Sequence, residues 1–241
     1  MQRLILKNCG LDVFPNLEGL SENQLVELNL SKNRIPSVPL MLTNLASITS
    51  LNLSENLLTA LPAQINQLLQ LKELHLERNL LSSLPTQISE LTNLEILCLP
   101  NNLLTEFPKE LYKLENLQFL FLDSNKIKSI SDEISKMTRL RFLSMVELPD
   151  IEIPPAIVHC KNLRELVHTP TQAFVVPLNI SEYGNAIVVR YFSLLRSLKV
   201  TNLLFKSHWK PDILFKSCKV CGTTFNYVNR RVSLFTIFSN S

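Results

Sequence analysis

Apolar and polar residues follow a pattern that recurs every 23 residues along most of this chain. Each copy has the form Leu-x-x-Leu-x-Leu-x-x-Asn-x-Leu, in which the middle leucines alternate with other residues. Alternation with a period of two predicts a short strand with one buried face and one wet face. The first column of the pattern contains Leu25, Ile48, Leu71, Leu94, Leu117, Leu140 and Leu163, and the second contains Leu28, Leu51, Leu74, Leu97, Leu120, Leu143 and Leu166.

The second half of each copy carries another apolar cluster, as in Leu61-Pro62 followed by Ile65 and Leu68. Apolar residues three positions apart predict a helical turn or a 3-10 segment on a return leg at the outer side. The ninth position of five copies is asparagine, and its side-chain amide can bond the backbone of the turn that leaves the strand and that of the neighbouring copy. These residues are Asn33, Asn56, Asn79, Asn102 and Asn125.

The repeated unit resembles the leucine-rich repeat family, in its short intracellular class with 23-residue repeats and a Leu-Pro return leg. The resemblance covers residues 1–176, as seven repeats and a partial eighth. It implies an α/β fold, a leucine-rich repeat solenoid with a parallel concave sheet and short helical or 3-10 return legs, in which each repeat needs its neighbours to bury its leucines. Residues 177–241 are predicted to form a basic C-terminal cap or tail, a small appendage with helical and Cys-x-x-Cys segments.

The pattern is less regular towards both ends. The first repeat has Cys9 at the asparagine position, the sixth has Ser131 where the others have the return-leg proline, and the seventh has Leu148 in place of asparagine. Further on, residues 187–204 have apolar positions at helical spacing. This spacing predicts a helix that covers the last repeat.

The residues between the strand leucines are predicted to face the concave side. Neighbouring strands lie ~4.8 Å apart, so apolar residues at these positions in consecutive repeats should form one continuous patch with a charged rim. An exposed aromatic patch with a charged rim is typical of a protein-binding site. Two alternatives are that these residues only stiffen the sheet, or that the C-terminal tail folds back over them. The predicted patch consists of Ile96, Cys98, Phe119, Phe121 and Phe142, and its rim of His75, Glu73, Arg78, Asp123, Glu147 and Arg141.

Composition and charge narrow the class of protein. The sequence has no run of about 18 apolar residues and no secretory signal, and its five cysteines lack the clustering of secreted repeat proteins. We therefore expect a cytoplasmic protein, with the nucleus as a further option.

The charge is unevenly distributed along the chain. The segment from Val188 onward contains nine basic residues and one acidic residue, Asp212, whereas the part before Val188 contains 15 basic and 20 acidic residues. A solvated tail is favoured over a nucleic-acid-binding one, because no recognised module accompanies its basic and aromatic residues.

Cys218 and Cys221 are separated by two residues and followed by Gly222. Such a pair can supply half of a zinc site, but four ligands are needed and no Cys or His follows. His208 lies ten residues upstream and would be a poor third ligand. Plain reduced cysteines and a redox dithiol are the alternatives. We therefore expect no cofactor, and the one alternative is a zinc ion bound at an incomplete site.

The tail also resembles the C-terminal region of a small group within the family that includes leucine-rich repeat-containing protein 58 and leucine-rich repeat protein 1. The resemblance rests on a short helical stretch and on the Cys pair with its Gly and aromatic neighbours. It implies a substrate receptor of an elongin-type cullin–RING ubiquitin ligase, with the helix docking the adaptor. Leu198 stands where that group has a small residue or Cys, and the second Cys pair of the group is absent. The implied adaptor-docking residues are Ser193, Leu194, Leu195 and Leu198.

The sequence thus favours a non-enzymatic interaction module or scaffold that binds a partner protein on its concave face in intracellular signalling, with the ligase receptor as the alternative. No nucleic-acid partner and no membrane span are expected. Catalysis has little support, because the four histidines are scattered and no phosphate-binding Gly loop or distinct carboxylate pair is present.

Overall fold

The computed structural model describes residues 2–17, 25–39, 45–148, 151 and 153–167, together with the backbone of two short strands further on. The described part of the solenoid contains one parallel sheet in which the strands follow chain order from β1 to β8. This sheet confirms the predicted solenoid. Its strands are β1 (Gln2–Ile5), β2 (Leu25–Asn29), β3 (Ser50–Asn52), β4 (Glu73–His75), β5 (Ile96–Cys98), β6 (Phe119–Phe121), β7 (Phe142–Ser144) and β8 (Glu165–Val167).

The return legs are short 3-10 helices, as the spacing of their apolar residues predicted. Four of the five that are described begin directly after a proline, whose fixed φ suits the extended residue before a helical turn. The third residue of each helix is buried and holds the return leg against the sheet. The helices span Ala63–Gln67, Thr86–Glu90, Lys109–Lys113, Asp132–Lys136 and Pro155–His159.

The core is a stack of leucines. Leu51, Leu74, Leu97 and Leu120 lie in register on adjacent strands, and each is fully buried. Burial of a leucine side chain contributes about 1.5–3 kcal/mol, so the repeated column provides much of the stability of the array. The strand residues on either side of these leucines lie on the opposite face of the sheet, which we call the concave face.

The asparagine ladder joins each repeat to the one before it. The Asn56 amide donates to the carbonyl oxygens of Leu30, Leu53 and Ser54 at 3.0–3.1 Å, and its Oδ1 atom accepts from the N–H of Ile35 at 3.0 Å. Leu30 and Ile35 belong to the preceding repeat. The predicted role of the ninth position is confirmed, because one buried side chain satisfies backbone groups of two repeats.

In the described part of the chain, the residue before the ladder position has a positive φ in seven repeats, a feature that the sequence analysis did not predict. None of these residues is glycine, although a left-handed conformation costs an L-residue roughly 1–2 kcal/mol. The conformation lets the N–H of Glu55 donate to the carbonyl of Glu77 at 2.8 Å, and that of Arg78 to the carbonyl of Pro100 at 2.8 Å. The residues are Asn8, Lys32, Glu55, Arg78, Asn101, Ser124 and Glu147, with φ between 52° and 60°.

Ser131 replaces the return-leg proline in the sixth repeat, and the structure gives it two roles. Its hydroxyl oxygen accepts from the N–H of Glu133 at 3.3 Å, which caps the following 3-10 helix. Its own N–H, which proline would lack, donates to the Tyr112 hydroxyl at 3.1 Å. In the seventh repeat Leu148 is buried at the ladder position.

Beyond the main sheet the structure describes strands β9 (Phe174–Val176) and β10 (Leu203–Phe205), which pair in parallel. The prediction of a helix over residues 187–204 is therefore wrong for Leu203 and Leu204, whose backbone takes part in this pairing. The rest of that predicted helix lies outside the described residues. In the described part of the chain, no helix has the length and apolar character needed for a membrane span.

Candidate protein-binding surface

The strand register brings the predicted patch together. Ile96 of β5 pairs with Phe119 of β6, which pairs in turn with Phe142 of β7. Cys98 and Phe121 pair in the same way two positions further along β5 and β6. Because paired residues of parallel strands project to the same side, all five side chains lie on the concave face. We call this set of five residues the aromatic patch.

The three phenylalanines of the aromatic patch form one cluster. The centroid of the Phe142 ring lies 6.4 Å from that of Phe119 and 5.0 Å from that of Phe121, with interplanar angles of 33° and 39°. These separations lie in the favourable range for aromatic pairs. The rings are half-buried because they shield one another, so each exposes less than an isolated ring on a sheet would.

Polar contacts end the cluster on one side. Ser144 of β7 pairs with Phe121 of β6, and it is buried with its hydroxyl donating to Asp123. The N–H of Val146 donates to the same carboxylate oxygen, Oδ1, at 2.7 Å. The Glu147 carboxylate accepts from the Ser124 hydroxyl at 2.8 Å. Asp123 and Glu147 therefore occupy fixed positions in the turns that follow β6 and β7.

An acidic group borders the patch on the other side. The Nε2 atom of His75 lies 3.9 Å from Oε2 of Glu73, and its Nδ1 atom lies 4.0 Å from Oε2 of Glu77. Glu77 was missed by the sequence analysis, although its position two residues after His75 would have placed it on the same face. The pKa of the Cys98 thiol is raised to about 12, first by burial and then by the charges of Glu77, Glu73 and Asp123.

Arg78 was predicted to lie on the rim of the patch. The structure places it, exposed, in the turn after β4, where its Nη1 atom lies 3.9 Å from Oε2 of Glu55 in the preceding repeat. The ion pair that the structure describes for Arg78 therefore joins the turns of two neighbouring repeats, and it does not involve a residue of the aromatic patch. Arg141 is exposed directly before β7, next to Phe142.

The remaining candidate residues lie outside the described part of the chain. They are Ser193, Leu194, Leu195 and Leu198, which were predicted to dock an adaptor, and Cys218 and Cys221, which were predicted to hold a metal.

A comparison with family models found a match to the leucine-rich repeat region over residues 64–201, more than half of the chain. The chain belongs to the leucine-rich repeat family. The match includes all five residues of the aromatic patch. This family has a generally non-enzymatic, protein-binding fold. A comparison with curated proteins found no match.

Solved structures with the leucine-rich repeat fold resemble the chain. The plant peptide hormone receptor RGFR1, in complex with RGF2, is 28% identical with a TM-score of 0.56, and the match covers 66% of this chain and 27% of the receptor. The Leptospira interrogans protein LIC12759 is 27% identical with a TM-score of 0.54, covering 80% and 53% of the two chains. The ectodomain of the Arabidopsis thaliana receptor kinase GASSHO1/SCHENGEN3, in complex with CASPARIAN STRIP INTEGRITY FACTOR 2, is 34% identical with a TM-score of 0.55, covering 64% and 19%. The chain thus spans about half of LIC12759 and about a fifth to a quarter of the two receptors.

Proposed function

We propose that this chain is a non-enzymatic interaction module that binds a partner protein through the aromatic patch on its concave face. The observation that carries the proposal is the cluster of Phe119, Phe121 and Phe142, which lies on the sheet face opposite the leucine core. These rings contribute little to the leucine stack, so their aromatic character is best explained by contact with another molecule. Aromatic residues are enriched among the residues that contribute most to binding at protein interfaces.

The charges around the patch indicate the kind of partner. Glu73, Glu77 and Asp123 lie close enough to Cys98 to add to the effect of burial in raising the pKa of its thiol, so the part of the patch around Cys98 is acidic. A partner segment that presents an apolar or aromatic side chain flanked by Lys or Arg would complement this surface. Charge complementarity of this kind mainly increases the association rate and the specificity.

The comparisons support binding in general terms, since two of the solved relatives are receptors in complex with their partners. We propose that the corresponding role here is that of a scaffold in intracellular signalling, in agreement with the unclustered cysteines of the sequence.

Affinity purification of the full chain beside Phe119→Ala and Phe142→Ala tests the proposal. The matched control is Leu103→Ala, which removes an apolar side chain that is 40% exposed in the loop after β5. We expect each Phe variant to weaken a purified partner about 30-fold, which corresponds to ~2 kcal/mol, and the Leu103 variant to leave it unchanged. Equal binding by all four proteins would refute the proposed surface.

A second candidate function rests on the tail sequence and its resemblance to leucine-rich repeat-containing protein 58 and leucine-rich repeat protein 1. We propose as the alternative that Ser193, Leu194, Leu195 and Leu198 dock an elongin-type adaptor while the repeats hold a ubiquitin-ligase substrate. Co-purification of elongin and cullin subunits, lost in Leu194→Asp and kept in Phe119→Ala, would support this alternative. Their absence from the wild-type purification would count against it.

A further inference from the structure

Three metal-ligating side chains of different chemistry meet at the border of the aromatic patch. His75 ends strand β4, and Glu77 follows it by two residues on the same face. Cys98 ends the adjacent strand β5, and its backbone is in register with that of His75. One ligand atom from each of the three residues lies within 4.8 Å of the other two. A nitrogen, an oxygen and a sulfur donor therefore converge on one point of the concave face.

The spacing of the donors suits a tetrahedral metal ion. Zinc bonds of about 2.0–2.3 Å place the donors of a tetrahedral site roughly 3.3–3.8 Å apart. The separations here are at most 4.8 Å, so none exceeds that range by more than about 1 Å, a difference that side-chain rotation can remove. All three residues are half-buried, so they are neither free surface side chains nor fixed in the core.

Glu77 provides an independent reason to expect a cation. Its Oε2 atom is buried and accepts no hydrogen bond from any residue that the structure describes. Its neighbour, the Nδ1 atom of His75, lies 4.0 Å away, which is beyond hydrogen-bond distance. A buried carboxylate oxygen without a partner is costly, and a coordinated cation would compensate for its lost solvation.

Glu73 lies where a residue that orients the histidine would be needed. Its Oε2 atom lies 3.9 Å from Nε2 of His75, on the side of the ring away from Glu77. This distance is longer than a hydrogen bond, and a small rotation of the His75 ring would close it. The same oxygen accepts from the Ser50 hydroxyl at 3.2 Å, which fixes the carboxylate. Metal-binding histidines commonly donate their second N–H to a carboxylate, which sets the tautomer and the orientation of the ring. Nδ1 would then be the free ligand, directed towards Glu77.

We propose that His75, Glu77 and Cys98 form a binding site for a divalent transition metal, with zinc as the ion that best suits the donor set. A thiolate and an imidazole select against magnesium and calcium, which prefer oxygen ligands. Three protein ligands leave the fourth tetrahedral position of the ion free, on the face that carries the aromatic patch. Glu73 is a positioning residue that acts through His75.

Cobalt titration of the full chain tests the site, because a cobalt–thiolate bond gives a charge-transfer absorption that other ligands do not. The test uses Cys218→Ser/Cys221→Ser as the parent, so that the tail pair cannot contribute. We expect the absorption in this parent, its reversal by Zn²⁺ but not by Mg²⁺, and its loss in Cys98→Ser and His75→Gln. Cys9→Ser is the matched control, since Cys9 lies in the first repeat, and it should bind like the parent.

Glu73→Gln separates an orienting role from a purely structural one. We expect it to weaken Co²⁺ binding by about 10–100-fold while the absorption at saturation keeps its shape, because the ligands are unchanged. Alkylation of Cys98 in the unsubstituted chain, followed by mass spectrometry with and without Zn²⁺, adds a readout that needs no variant. Zn²⁺ should slow this alkylation. The proposal is overturned by a parent without absorption, by absorption that survives Cys98→Ser, or by Cys98 alkylation that Zn²⁺ does not change.

Discussion

The ring of Phe121 packs against that of Phe142 across two adjacent strands, with 5.0 Å between the ring centroids. Leu120, the strand neighbour of Phe121, is fully buried on the other side of the sheet. One residue step along the strand therefore separates a side chain that stabilises the fold from one that is available to a partner. This alternation underlies the proposed function.

The first prediction compares Phe119→Ala with Leu120→Ala. We expect the Leu120 change to lower the free energy of unfolding by ~2–5 kcal/mol, because it leaves a cavity in the leucine stack. The Phe119 change should cost about 1 kcal/mol, since its half-buried ring loses one aromatic contact. Urea denaturation of both variants measures these values. A larger loss for Phe119→Ala than for Leu120→Ala would place the ring in the core.

The second prediction concerns the asparagine ladder. Asn79→Ala removes hydrogen bonds to the Leu53 and Leu76 carbonyls and to the N–H of Leu58. We expect a loss of roughly 2–4 kcal/mol, because buried backbone groups of two repeats lose their partner. Asn66→Ala is the control, since the Asn66 side chain makes an exposed hydrogen bond to Glu90. Similar stabilities of the two variants in thermal or urea unfolding would show that the ladder is dispensable.

The third prediction tests the left-handed turn position. Arg78→Val should destabilise the fold by about 1–2 kcal/mol, because a β-branched residue is disfavoured at its φ of 54°. Arg78→Gly should be neutral or slightly stabilising, since glycine adopts this conformation without steric cost. Lys126→Val supplies the control at an exposed turn position that has no positive φ. If Arg78→Val and Lys126→Val unfold at the same denaturant concentration, the turn carries no conformational cost.

The fourth prediction follows from the Cys160 thiol, which is buried and donates to the Ile134 carbonyl at 3.1 Å. Burial raises the pKa of this thiol from the ordinary 9.0 to about 12. The folded state therefore holds the thiol proton more tightly than the unfolded state does. The contribution of the protonated thiol to the free energy of unfolding is complete below pH 9, and it is lost as the pH rises towards 12. Urea denaturation between pH 8 and pH 11 should show this decline, and Cys160→Ser should reduce it. A decline of the same size in both proteins would assign it to other groups.

The burial of Cys160 also predicts that its thiol reacts more slowly than the exposed thiol of Cys9. Iodoacetamide at pH 8 should modify Cys9, which is exposed, well before Cys160, because the reactive thiolate of a buried thiol is scarce. Mass spectrometry of peptides from the folded chain measures the order. Equal rates would mean that the seventh repeat opens readily.

Features that follow from the 23-residue period could be predicted from the sequence, whereas contacts that depend on individual side-chain conformations could not. A fixed spacing of 23 residues was enough to place Ile96, Phe119 and Phe142 in one column, because the period of a solenoid sets its strand register. The spacing of two residues places Glu77 on the same face as His75, but the 4.0 Å between their side-chain atoms depends on rotamers that the repeat does not determine. The contact of Ser131 with Tyr112 was equally hidden, because it joins two residues that each depart from the consensus. The positive φ of Arg78 had no sequence signal, since glycine is absent from that column.

Site-specific photo-crosslinking from the concave face tests the central claim most directly. A photoreactive phenylalanine analogue would replace Phe121 in one protein and Leu103 in another, and each would be irradiated with the same purified partner. We predict crosslinks to the partner from position 121 and few or none from position 103. Crosslinks from position 103 together with none from position 121 would contradict the account, because the partner would then bind away from the concave face.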